Sequence, residues 1–382
     1  MIIVHLQPKK ETPILNGHPW VFAGAIDKVD GAHPRQLCRV VSSQGLFVCQ
    51  GFYNPYSQIA VRVLSLGKET IGQDFLARRI KQAIAMRRRI VPADTTCYRL
   101  VNAEGDGLPG LIADIYGDIL VLQFLCLGMA QFLDDVVAIL KECFPGHIIH
   151  ERSDVKSRKA EGLSPQSGPL SGVLPEDDIE VRENGILLAV DVKTGERTGY
   201  PMDHRVNRDK LMRVAHDKTV LDLFAYSGGF ALNALKGGAR AAVSVDLSSP
   251  AQSLVKRNRE LNGVSPLVWR HVKEDVLSYL NREEEFFDIV VCDMPPFAKP
   301  EEYTKVNTLA MARLKPGGLL FTAASYATRF GGPELLKAVN RAALANKRHA
   351  AVVEPLYQSP DYPFLSAHPE GVHMHGYMVY VA

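Results

Sequence analysis

Three carboxylates, Asp246, Asp275 and Asp293, each follow a short apolar run, and a glycine-bearing turn, Ser227-Gly228-Gly229, follows another. The run from Val220 to Phe224 suits a buried parallel strand. Glycine at its end lets a ligand approach the main chain without interference from a Cβ. Residues 230–235 favour a helix on balance, and Gly237-Gly238 stops it. A second apolar run then ends in Asp246. This is a βαβ unit with an acid about 20 residues past the glycines, where the hydroxyls of a nucleoside ribose are gripped. The spacing is not Gly-x-Gly-x-x-Gly, which argues against an ordinary dinucleotide site. Asp275 could accept from an adenine amine. Successive strands that finish in polar groups gather them at one carboxyl edge of a sheet, where open α/β sheets bind ligands.

The elements that position these groups read as three parts. Residues 1–68 form short strand candidates separated by Gly, Pro, Asn and Asp, which predicts a small β-barrel. Trp20, Phe22 and Phe52 are read as its core; the other reading is that exposed aromatics beside Arg62 and Arg35 stack on bases and pair with phosphates. Residues 69–175 read as a central α+β domain with a linker. It opens with a helix over 74–91, capped by Asp74. That helix carries Arg78, Arg79, Lys81, Arg87, Arg88 and Arg89, which is either a solvated face or an RNA-phosphate contact surface. Residues 156–177, rich in Ser, Pro and Gly, read as a linker or ordered loop. Residues 176–382 begin with a hairpin turning at Asn184-Gly185 and continue as alternating strands and helices, which implies a mostly parallel sheet. Strand ends are expected at Phe224, Asp246, Asp275, Asp293, Thr322 and Val353, with an antiparallel closing strand at 378–381.

Composition narrows the setting. The chain has 382 residues, enough for two or three domains. A net charge of +2 means that any basic surface is local. The six cysteines form no Cys-x-x-Cys pair, which argues against a zinc ribbon or a disulfide framework and suits a reducing compartment. Residues 1–5 lack a signal-peptide layout. No apolar run approaches the roughly 20 residues of a membrane helix. These features lead to the expectation of a cytoplasmic protein with no metal and no membrane association.

The glycine turn and the carboxylates at the strand ends together resemble class I S-adenosylmethionine (SAM) methyltransferases. The ordered set His18-Pro-Trp-Val-Phe, Tyr53-Asn-Pro-Tyr, Glu104-Gly-Asp-Gly-Leu-Pro-Gly, Glu151-Arg-Ser-Asp, 197–208 and 222–230 extends the likeness over nearly the whole chain. It resembles the 23S rRNA cytosine-C5 methyltransferases that carry an N-terminal PUA domain. The resemblance implies a PUA-like RNA-binding barrel, a central α+β domain, and a Rossmann-like domain whose mostly parallel, seven-stranded sheet has an antiparallel closing strand. It also implies SAM as cofactor, 23S ribosomal RNA as partner and a homodimer. Thr198, Asp203, Arg205, Asn207 and Arg208 lie where the family lines its SAM pocket. Arg205 and Arg208 share a helix face, and one would pair with the methionine carboxylate. Phe224, Ser227, Gly228 and Gly229 would abut the methionine part, Asp246 and Ser248 the ribose, and Asp275 the adenine. Asp293, also in the cofactor pocket, and Phe297 would meet the target base.

Two departures touch the chemistry. Met294 stands where the family has the first proline of Asp-Pro-Pro. Ala323 and Ser325 stand where the family has the two cysteines of Thr-Cys-Ser-Cys. Cytosine C5 is a poor nucleophile, and attack on it needs a thiolate added at C6. Ser325 is a weak substitute without a base. Cys292, one residue from Asp293 on a strand, is expected to face the core. Three readings follow: cytosine methylation with another nucleophile, methylation of an exocyclic amine, or binding of SAM and RNA without turnover.

Overall fold

Alternation of apolar side chains builds the first sheet from β1 (Ile2–Leu6), β2 (Trp20–Phe22), β3 (Ile26–Asp30), β4 (Leu37–Val41), β5 (Phe47–Tyr53) and β6 (Ile59–Ser65), ordered β2-β6-β5-β4-β1-β3. The computed structural model describes residues 1–33, 35–295, 299–325 and 331–382. The core of this sheet is Val4, Leu6, Val21, Val40, Cys49 and Val61, not the three aromatics expected there. The reason is the two-residue period of a strand: Val21 points inward, so Trp20 and Phe22 point to the other face. Phe22 is accordingly exposed, and Trp20 donates from Nε1 to Glu104 Oε1 at 2.9 Å. Phe52 is buried, but in the core of the second sheet.

That second sheet runs β11-β10-β9-β8-β7, from β7 (Cys97–Asn102), β8 (Leu111–Tyr116), β9 (Ile119–Phe124), β10 (Ile148–Ser153) and β11 (Gln166–Ser171). β9 and β10 are parallel, and the helix Leu133–Cys143 makes the crossover between them. The polar stretch read as a linker or ordered loop therefore supplies an edge strand, a place in a sheet where a proline such as Pro169 is tolerated. The basic helix spans Gln73–Ile90 and starts from Gly72 without a side-chain cap, so Asp74 is not its cap. Arg87 on it is buried, with Nη2 2.8 Å from Asp106 Oδ2, so only part of its charge is solvated.

These two sheets lie in one compact unit, Met1–Asp177 with Val192–Thr194 and Pro360–Gly371. The second unit comprises Asp178–Asp191, Gly195–Ser359 and Val372–Ala382. It opens with the hairpin β12 (Ile179–Glu183) and β13 (Ile186–Val190). Asn184 and Gly185 both have positive φ, 49° and 75°, as a type I′ turn requires. Its main sheet is β14 (Thr219–Leu223), β15 (Ala241–Asp246), β16 (Trp269–Lys273), β17 (Phe287–Met294), β18 (Leu314–Ser325), β19 (Ala350–Leu356) and β20 (Met374–Val381), in the order β16-β15-β14-β17-β18-β20-β19. The first five strands in that order are parallel, and β20 runs antiparallel to both its neighbours. Strand order reverses between β14 and β17, which creates a crevice at the carboxyl ends of these strands. Three strand ends differ from expectation by two or more residues: β16 stops at Lys273, β18 runs on to Ser325 and β19 runs on to Leu356.

Packing in the first unit is tight at Gly128, where an added Cβ would overlap the Phe52 ring. Gly128→Ala is expected to lower its stability by about 1–3 kcal/mol. Urea unfolding checks this, and an unchanged midpoint would contradict the packing described.

Candidate functional site

The chain leaves β14 through a turn that few residue types can make. Phe224 and Tyr226 have φ of 56° and 45°, unusual for side chains of that bulk. Gly228 follows at φ 77°, and a Cβ there would overlap the Trp269 ring. The helix Gly229–Lys236 begins directly after it, and Gly229 and Phe230 of its first turn line the crevice. Two acids hold the turn. Asp246 Oδ2 accepts from Tyr226 N at 2.9 Å and its Oδ1 from Ser248 N at 2.8 Å. Asp222 Oδ2 accepts from Ala231 N at 3.0 Å from a fully buried position.

Above this turn lies a cavity of about 650 Å³. Of the residues expected to form the site, Arg208, Phe224, Ser227, Gly229, Asp246, Asp275, Asp293 and Ser325 line it. Asp275 is exposed and also caps the next helix, accepting from Ser278 N at 2.9 Å. Thr198, Asp203, Arg205, Asn207, Gly228, Ser248 and Cys292 are not in the lining. Phe297 lies outside the described residues.

Several of those residues have partners within the protein instead. Arg208, expected to hold a ligand carboxylate, presents its fork to Glu183, with both contacts at 2.6 Å. Both side chains are buried, so each neutralises the other. Asp203 is also buried. Burial alone would raise its carboxyl, but Arg197 at 3.2 Å and His373 at 3.1 Å hold it far below the usual carboxylate range. Asn207 donates to the Tyr357 carbonyl at 3.0 Å. Ser248 accepts from Ala251 N and starts the helix Ser249–Asn262. Cys292 packs among Leu221, Leu223 and Val290, and burial pushes its thiol up, away from thiolate.

One group of residues missed from sequence comes from the segment before the helix Arg205–Val214. Glu196, Arg197, Tyr200 and Pro201 form one wall. Tyr226 ties that segment down: its hydroxyl donates to Gly199 O at 3.1 Å and accepts from Glu196 N at 3.2 Å. Ala225, Phe230, Leu247, Glu274, Val276, Met294 and Pro295 complete the surface. His204, also missed, is fully buried, with Nε2 3.0 Å from Asp293 Oδ1 and 3.5 Å from Ser325 Oγ. The histidine next to Asp203 was visible in sequence, but nothing local connected it to residues 89 and 121 positions away.

The lining holds five carboxylates, on Glu196, Asp246, Glu274, Asp275 and Asp293, and two arginines, Arg197 and Arg208. Both arginines face other acids, and although burial pushes the Glu196 carboxyl up to about 7, the remaining four carboxylates leave the cavity negative on balance. Its size suits a nucleoside bearing an amino-acid chain, and its charge suits a cationic one.

Comparison with known proteins agrees with this geometry. A PUA-like domain model matches residues 4–66, and an S-adenosylmethionine-dependent methyltransferase model matches residues 164–371. The chain belongs to the S-adenosylmethionine-dependent methyltransferase family, and SAM is its cofactor. Among its relatives is a protein of Photobacterium profundum named ribosomal RNA large subunit methyltransferase I, 39% identical over 99% of each chain. A protein of Shewanella denitrificans with the same name is 40% identical over 98% of each. A methyltransferase crystallised with SAH superposes with a TM-score of 0.88 over 100% of both chains, at 22% identity, which shows a shared fold. Among the described residues no helix is long and apolar enough to cross a membrane.

Burial pushes the Asp222 carboxyl from 3.8 up to about 8. Between those values the folded protein keeps a proton that the unfolded chain has released, so stability falls as pH rises through the window. Asp222→Asn retains an acceptor for Ala231 N–H and removes this titration. The difference in stability between variant and wild type is expected to change by on the order of 1.4 kcal/mol per pH unit across that window. Urea unfolding from pH 5 to pH 8 checks this, and parallel profiles would contradict it.

Proposed function

We propose that this protein transfers the methyl group of SAM to a base of large-subunit, 23S ribosomal RNA. The observation that carries the reading is the acid-lined cavity at the reversal of strand order, floored by a turn that only glycine at 228 permits. The relatives named as large-subunit rRNA methyltransferases support the substrate, and the PUA-like match supports RNA contact. In this reading the main chain at Ser227, Gly228 and Gly229 approaches the methionine part, Asp246 takes the ribose hydroxyls and Asp275 the adenine amine. SAM supplies an electrophilic methyl group when bound. The chain's own contribution is to hold that group and the base in line, and proximity accounts for much of the rate. Asp293, at the end of β17, faces the reacting centre. Action in the cytoplasm, as a homodimer, belongs to the same reading.

Asp246→Ala is expected to weaken SAM binding by about 1.5–3 kcal/mol, the value of a charged hydrogen bond. Isothermal titration measures it, with thermal unfolding of the variant as a control for the loosened turn. Unchanged affinity would remove Asp246 from the ribose site. Nucleoside mass spectrometry of 23S rRNA from a deletion strain tests the reaction itself. Loss of one methylated nucleoside is expected, and an unchanged set would refute the substrate.

A further inference from the structure

The surroundings of His204 fix where its proton sits. Nδ2 of Asn207 lies 3.0 Å from the Tyr357 carbonyl oxygen, which can only accept, so the amide nitrogen is on that side. The same nitrogen lies 3.2 Å from His204 Nδ1 and 3.3 Å from Met374 Sδ, and as an amide nitrogen it can accept from neither. Nδ1 faces a group that cannot take a proton from it and is unprotonated, and the ring proton is on Nε2. Nε2–H donates to Asp293 Oδ1 at 3.0 Å, which leaves Oδ2 of that carboxylate unclaimed by the histidine. Ser325 Oγ, 3.5 Å from the same Nε2, meets a nitrogen that already carries a proton. The imidazole cannot take the serine proton, so His204 does not activate Ser325 as a nucleophile.

Thiols offer no alternative. Among the described residues no cysteine lines the cavity, and Cys292 is turned into the core. Cys38, Cys49, Cys97 and Cys126 are buried and Cys143 half-buried, all in the first unit. A carbon acceptor such as cytosine C5, which needs covalent addition at the neighbouring carbon, finds no thiol among the described residues of this cavity. A nitrogen acceptor needs only a carboxylate to receive its N–H.

We propose that the methyl acceptor is an N–H-bearing nitrogen of the target base, and that His204 is a positioning residue that holds Asp293 to accept from it. This rests on the reading that the cavity methylates ribosomal RNA. The nitrogen lone pair forms the new N–C bond to the methyl carbon. The C–S bond breaks, and its electron pair stays on sulfur, which becomes a neutral thioether. The proton displaced from nitrogen passes to Asp293 and then to solvent. A carboxylate so placed contributes on the order of 10²–10⁴-fold to such a transfer.

The test uses the full-length protein, SAM with a deuterated methyl group, and ribosomal subunits from a strain lacking the gene. Digestion and mass spectrometry should place the label in an N-methylated nucleoside. Label in 5-methylcytidine would overturn the inference and leave the proposed function standing. No label in any nucleoside would overturn both. His204→Leu should then lower kcat by about 100-fold, while KM for the subunit and Kd for SAM by titration stay within about threefold. His204→Gln, whose amide can replace the Nε2–H, should recover to within about tenfold of wild type. Wild-type kcat in His204→Leu, or an equal loss of SAM affinity, would show that the histidine does not act through Asp293.

Discussion

One carboxylate ties two neighbouring strand ends together. Asp246 finishes β15 and accepts from the backbone of Tyr226, in the turn after β14, and from Ser248, which starts the next helix. The turn it steadies contains two bulky residues in left-handed conformations, and such conformations persist only where surrounding contacts fix them. Asp222 holds the same turn from below through Ala231, and Tyr226 passes the constraint to the segment over the cavity. The floor and one wall of the cavity therefore depend on the same few hydrogen bonds.

A negative cavity distinguishes a cation from a neutral molecule of nearly the same shape. Methyl transfer removes the positive charge at sulfur, so in the proposed reading the acids of the cavity favour the methyl donor over the demethylated product. The buried Arg208–Glu183 pair serves a different end. Its bidentate geometry fixes the helix Arg205–Val214 against β12 without adding net charge to the site. Position, more than any activated side chain, is what this site provides.

Much of this was legible in the sequence because it is local. The glycine turn, the acid ending β15, the Asp293 strand end and the Asn184-Gly185 hairpin are each set by a few adjacent residues and their backbone preferences. What was not legible is long-range. Arg208 and Glu183 lie 25 positions apart, and only the fold shows that the arginine is already paired. His204 meets Asp293 only once β17 stands beside the segment before the helix Arg205–Val214. Hydrophobicity alone places Trp20 and Phe22 in the core, but alternation along β2 turns Val21 inward and both aromatics to the other face. The edge strand β11 was hidden by its Ser, Pro and Gly content, which a strand tolerates only at an edge. The chain also returns to the first unit at Pro360–Gly371, a crossing that no composition shift announced.

The central claim is that the cavity above the Gly228 turn holds the sulfonium nucleoside. A crystal structure of the protein with SAM tests it most directly. Density is expected with the amino-acid end against residues 227–229 and the ribose at Asp246. Density at another place, or none at saturating concentration, would contradict the account.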